Sequence, residues 1–194
     1  MFEYIENAVG SVFAAFGDQD SGQENQEVNN SSAFVARDGF TAVQKACQMG
    51  ALELHNSLRA RHGVPALILD DSISNDAQAY AEYLANSGRF EHSSDRDGLG
   101  ENLYESWGSA PEDNSDQGRA ATQSWYDEIN DYDYNEPGFS MKTGHFTQVV
   151  WKSTSKLGMG IAFGDGDGKV IVVGRYSPAG NMEGDFPENV PQPL

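Results

Sequence analysis

The chain has 194 residues and carries 12 basic against 30 acidic side chains, a formal charge of -18 at pH 7. That length suits one domain with a sizeable core and is too short for two ordinary ones. The charge opposes binding to nucleic-acid phosphates or anionic lipid headgroups, so nucleic acid is excluded as a partner and membrane association is disfavoured. Cys47 is the only cysteine, which rules out an intrachain disulfide and points to a reducing compartment.

At the amino terminus, Phe2, Ile5, Val9, Val12, Phe13 and Phe16 wind an apolar stripe around one side of a predicted helix over residues 1–16. Its polar face carries Glu3 and Glu6 and no basic residue, so it reads as a protein-docking helix more than a membrane-adsorbing one. Residues 17–37 are rich in Asp, Gln, Glu, Asn, Ser and Gly, and they form an acidic, polar linker too poor in apolar side chains to offset its ordering entropy. Together, residues 1–37 are expected to bind a protein partner. Met1–Glu6 lacks the basic start and long uncharged run of a signal peptide, and Phe2 stands where myristoylation requires glycine. No run of about 18 uncharged apolar residues is present, so the expectation is an intracellular protein, cytoplasmic or peripheral to an organelle.

The main domain is expected over 38–194. Asp38 is read as the cap of a long first helix ending at the Gly63-Val64-Pro65 stop. A second helix fits Ser74 to Ser87, with Ala77, Tyr80, Ala81 and Leu84 facing inward and Gly88 closing it. A third fits about Asp116 to Asp131 and sets Ala121, Trp125 and Glu128 along one side. Leu157–Phe163 and Val170–Tyr176 are β-favouring runs joined by Gly164-Asp165-Gly166-Asp167-Gly168, a hairpin signature. Gly100–Glu105 is a further strand candidate. Pattern alone establishes a mixed α+β domain.

Only four histidines are present. His55 and His62 lie seven apart on the first helix, about 10 Å along its axis, and cannot share one ion, so they read as structural. His92 and His145 each fall at the edge of a predicted element, with Glu101 and Glu128 between them in sequence.

Three further stretches carry more information: His55-Asn56-Ser57-Leu58-Arg59-Ala60-Arg61-His62-Gly63-Val64-Pro65, Gly100-Glu101-Asn102-Leu103, and Gly144-His145-Phe146-Thr147-Gln148 followed by Arg175-Tyr176-Ser177-Pro178-Ala179-Gly180-Asn181. In this order and spacing they resemble the CAP superfamily of cysteine-rich secretory proteins, antigen 5 and pathogenesis-related type 1 proteins (the SCP domain), and within it the disulfide-free, Golgi-associated branch. The likeness runs from about His55 to Asn181 and extends to Glu188-Asn189-Val190-Pro191. It implies a three-layer α-β-α sandwich with a mostly antiparallel central sheet. It also implies that His92, Glu101, Glu128 and His145 line one cleft, the histidines as ligands of Zn²⁺ or another divalent cation and the glutamates supporting them.

Two protein nitrogens make an under-coordinated site that water or a partner's side chain must complete. The function implied is a non-enzymatic binding or scaffold domain. The alternatives are a metal-dependent, protease-like hydrolase with Glu101 or Glu128 as general base, and a sterol- or lipid-binding protein. Hydrolysis lacks support from the sequence: there is no His-Glu-x-x-His or Gly-x-Ser-x-Gly motif, and Ser93 or Ser94 beside His92 makes only a weak triad candidate. Tyr104, Trp107, Tyr126 and Phe139 are the expected ligand-facing aromatics.

Overall fold

Thr41 starts the first helix of the domain. Its Oγ1 accepts the Gln44 N–H at 3.2 Å while Gln44 Oε1 accepts the Thr41 N–H at 2.8 Å, a reciprocal box that satisfies two otherwise orphaned donors. The computed structural model describes residues 39–107, 115–164 and 168–194. The expected docking helix, the linker, the Asp38 cap and the centre of the 164–168 turn lie outside the described residues.

Helix α1 (Ala42–Arg61) is therefore capped by Thr41. After the short strand β1 (Ile68–Leu69), α2 (Asp71–Ser87) starts three residues before the expected Ser74. Asp70 explains the difference, because its Oδ1 accepts the N–H groups of Ser72 at 3.0 Å and Ile73 at 3.2 Å. Gly88, at φ 68, ends α2 in the left-handed conformation that glycine adopts without penalty. Strand β2 (Gly100–Trp107) outruns the expected Gly100–Glu105. The expected third helix divides into α3 (Ser115–Asp127) and a 3₁₀ turn, Glu128–Asp131. The remaining elements are α4 (Gly144–Val150), β3 (Lys156–Phe163), β4 (Lys169–Ser177) and α5 (Phe186–Asn189).

The strands lie in the order β1-β3-β4-β2, with β1 parallel to β3 and the other two pairings antiparallel. Alternation sorts their side chains onto two faces. Leu157, Met159, Ile161, Val170, Val172 and Tyr176 join a core with α1, α3 and α4, while Leu103, Ala162, Ile171 and Val173 pack with Ala77, Ala81 and Leu84 of α2. Burial on both faces is why β3 and β4 read as nearly continuous apolar runs. The α+β, α-β-α layering expected from the resemblance is the observed architecture.

Close approach fixes the layers. A Cβ at Gly158 or Gly160 of β3 would fall 2.4 Å from the α2 backbone, and one at Gly118 of α3 would fall 2.1 Å from the Cys47 carbonyl oxygen of α1. Strand β1 covers only the first two residues of β3, and side chains complete that edge. Gln78 Nε2 donates to Ile161 O at 2.8 Å and Gln78 Oε1 accepts Ile161 N–H at 2.9 Å, while Gln48 Nε2 reaches Met159 O at 3.2 Å. The helix amides thus stand in for a missing strand partner.

Candidate functional site: a cleft between two histidine–glutamate pairs

The His92–Asn102 segment, the turn before α4, α4 itself and residues 179–182 enclose a cleft of ≈ 660 Å³. Its floor is Gln148, whose Oε1 accepts the Gly180 N–H at 2.9 Å and whose Nε2 donates to Thr154 Oγ1 at 3.2 Å. Gly100 and Gly180 press against this amide. A Cβ at Gly100 would lie 2.1 Å from Gln148 Oε1, and one at Gly180 would lie 2.7 Å from Gln148 Nε2. Those two glycines are what allow β2 and the 179–182 loop to close around α4.

His92 stands on the cleft wall with Nδ1 2.7 Å from Glu101 Oε1, an oxygen that also accepts the Ser93 N–H at 3.0 Å. The Glu101 side chain is fully buried, and its Oε2 lies 3.2 Å from Arg175 Nη2. Burial alone would raise the Glu101 carboxyl, but the hydrogen bonds from His92 and Ser93 N–H and the Arg175 charge outweigh it and hold its pKa below the usual value. Arg175 is held in turn by Asp76 of α2 and stacks over the Tyr80 ring at 5.2 Å.

His145, at the start of α4, repeats the arrangement with different supports. Its Nδ1 lies 2.7 Å from Glu128 Oε1, and its ring stacks on Trp125 with centroids 6.4 Å apart. Glu128 Oε2 accepts the backbone N–H groups of His145 at 2.9 Å and Phe146 at 3.2 Å, satisfying two free donors at the helix start. Asn102 Nδ2 donates to His145 O at 3.1 Å, and Asn181 Nδ2 to Gly144 O at 2.9 Å. Asn181 takes a φ of 61, a conformation asparagine tolerates better than most residues.

An ionised carboxylate only accepts, so each Nδ1 donates and, in the neutral ring, each Nε2 keeps its lone pair. This is the form in which imidazole binds a cation, and the donor set fits one: two lone-pair nitrogens on one cleft, each oriented by a carboxylate behind it. Among the described residues no group of three or more His, Cys, Asp or Glu side chains is placed to hold a metal, so any ion on these two nitrogens would need water or another molecule to complete its coordination.

The other predicted residues separate. His55 and His62 are buried away from the cleft. His55 Nδ1 donates to Ala51 O at 2.8 Å and its Nε2 accepts from Tyr176 OH at 2.9 Å. His62, one residue past the end of α1, bonds Pro191 O at 2.7 Å and Tyr126 OH at 2.9 Å. Tyr126 is therefore core and not ligand surface. Tyr104 packs against the α1/α3 core, and Trp107, 62 % exposed, lies at the opposite end of β2 from Gly100, on the order of 20 Å along the strand. Of the four aromatics, Phe139 alone lines the cleft. Sequence reasoning passed over Gln148, Arg175, Asn102 and Asn181, all of which stand inside the motifs quoted for the resemblance. Nothing in their residue type marks them apart from the contacts they make.

A sheet between helical layers, with a cleft built on two His–Glu pairs, defines a CAP-type domain. Residues 52–176 match the CAP, or cysteine-rich secretory protein, family, and the chain belongs to it. It is 44% identical over 146 residues to Golgi-associated plant pathogenesis-related protein 1 of Homo sapiens, covering 73% of this chain and 90% of that one. It is 39% identical over 137 residues to protein PRY2 of Saccharomyces cerevisiae, covering 70% of this chain but 38% of the yeast protein. Among solved structures, NaASP2 with Zn²⁺ superposes with a TM-score of 0.60 at 26% identity, over 81% of this chain and 90% of that one. BmVAL-1 gives 0.56 at 29% identity, over 74% and 81% respectively.

Proposed function

We propose that this protein is a non-enzymatic binding domain whose cleft holds a divalent cation, with Zn²⁺ the foremost candidate, through Nε2 of His92 and of His145. The observation that carries the reading is the matched pair of 2.7 Å Nδ1–carboxylate contacts behind two cleft-lining rings. NaASP2, which shares the fold, was solved with Zn²⁺, and that lends support. When bound, the ion supplies an electrophilic centre with open positions for a partner's side chain.

Binding is favoured over hydrolysis by how the remaining groups are committed. Glu101 Oε1 is taken by His92 and the Ser93 N–H, and its Oε2 faces Arg175, so it is poorly placed to receive a proton from water. Ser93 Oγ donates to Asp95 O at 2.5 Å, and the buried Cys47 thiol is pushed up to about 12, far from a thiolate at neutral pH. Among the described residues no helix is long and apolar enough to cross a membrane. An intracellular site, with docking through residues 1–37, completes the reading.

Calorimetric titration of Zn²⁺ into the full chain at pH 7.5 and at pH 5.5, beside His92→Ala/His145→Ala, tests the metal site. Binding at the higher pH that disappears at the lower one and in the double variant is expected, because protons compete for the same lone pairs. Undiminished binding in the double variant would remove the cleft from consideration.

A further inference from the structure

Two methionines stand where few apolar side chains remain exposed. Among the described residues, Met159 is fully buried in the core and Met49 half-buried on α1, whereas Met141 is 83 % exposed and Met182 49 % exposed. Both exposed methionines line the cleft that contains His92 and His145. Both are also tied to the same end of α4. Met141 lies four residues before His145 in the turn closed by Thr143 N–H to Ser140 O at 3.1 Å. Met182 follows Asn181, whose side chain accepts from Thr147 Oγ1 at 2.6 Å and donates to Gly144 O at 2.9 Å. Two thioethers and two imidazoles therefore line the same cleft.

Donor softness selects among cations. Imidazole serves zinc and copper alike, whereas a thioether contributes little to a hard or borderline ion and binds monovalent copper well. We infer that the cleft also takes Cu(I), held by His92 and His145 through Nε2 and by the sulfur of Met141, of Met182, or of both. This rests on the reading that both Nε2 atoms face one cation. It adds that, when the cation is Cu(I), its remaining positions are filled from the rim of this chain, with no covalent or redox step required. The methionines are exposed and make no core contact, so leucine at both positions preserves apolar bulk while removing the sulfur.

The test uses the full chain under anaerobic conditions and titrates Cu(I) against a chromogenic chelator and Zn²⁺ by calorimetry, in wild type, Met141→Leu/Met182→Leu and His92→Ala/His145→Ala. The expected result is a Cu(I) affinity about 100-fold lower in the methionine variant, with Zn²⁺ affinity within about twofold of wild type and sulfur scattering in the Cu(I) X-ray absorption spectrum of wild type alone. Equal Cu(I) affinity in wild type and the methionine variant overturns the inference and leaves the histidine site standing. Methionine-dependent Cu(I) binding without any Zn²⁺ binding upholds the inference and overturns the divalent reading. Retention of both ions by the histidine variant overturns both.

Discussion

Glu128 and His145 are joined twice: the carboxylate takes the ring Nδ1–H on Oε1 and the backbone N–H of the same residue on Oε2. One side chain thus starts helix α4 and sets the tautomer of the histidine that begins it. Glutamine separates the two roles. In Glu128→Gln the amide oxygen can still accept the backbone N–H groups, but the NH₂ then faces Nδ1, which must become the acceptor and move its proton to Nε2. The expected outcome is cation affinity lower by about 10- to 100-fold with stability changed by less than about 1 kcal/mol. Titration calorimetry and urea denaturation read the two quantities separately. Wild-type affinity in this variant would show that the tautomer is set elsewhere.

The His92 pair should behave differently, because Glu101 is fully buried and faces Arg175. Glu101→Gln removes the charge opposite a buried guanidinium, and its single amide oxygen can face either His92 and the Ser93 N–H or Arg175 but not both, so stability should fall by about 2 kcal/mol and cation binding should weaken. The sign of the pH effect follows from the lowered carboxyl pKa. Its stabilisation is complete above the ordinary glutamate value and is lost as pH falls through the lower, folded value. Unfolding curves below about pH 4.5 should therefore be less steep in pH for the variant. Identical acid limbs would place Glu101 outside the acid response.

How much of this could be read in advance varies by element. The inner stripe Ala77, Ala81 and Leu84 and the two long strands follow directly from periodicity, since each is one continuous regular run packed on the core. Helix starts are less legible: Thr41 and Asp70 cap because their side chains reach N–H groups two or three residues on, a contact that residue type alone does not reveal. Helix α4, at seven residues, is too short to show a period, so periodicity does not assign it. The cleft was legible only through motif resemblance, because His92 lies on a loop and its supports, Glu101 and Arg175, come from two different strands. Tyr126 and Trp107 misled for the complementary reason: an aromatic near a motif in sequence need not point the same way in space.

His55 provides a pH signature independent of the cleft. Burial lowers its pKa from 6.5 to about 4, partly offset by the hydrogen bond to Ala51 O, with the nearby Arg59 charge lowering it further. The folded state therefore keeps the ring neutral where the unfolded chain protonates it. Stability rises with pH between about 4 and 6.5, and the full swing is about 3 kcal/mol. In His55→Gln, which can still donate to Ala51 O and accept from Tyr176 OH, this limb should flatten. His62, also shifted down by burial, leaves a residual slope. An unchanged limb in the variant would assign the acid sensitivity to other groups.

Beyond Leu157, the outer edge of β3 has no strand partner among the described residues and relies on side-chain amides. Gln78 supplies both an acceptor for Ile161 N–H and a donor for Ile161 O, so Gln78→Ala strands a buried backbone donor and acceptor together. The loss should be about 2 to 3 kcal/mol, more than the removal of an ordinary surface glutamine, and it should come with faster amide exchange at Ile161. Gln78→Glu discriminates the two halves of the bond: it retains the acceptor for Ile161 N–H but sets a carboxylate against Ile161 O. It should therefore be at least as damaging near pH 7 and partly recover in acid, where the protonated carboxyl can donate. If Gln78→Ala costs less than about 0.5 kcal/mol, water completes that edge as well as the amide does, and the proposed protection of β3 by α2 is unnecessary.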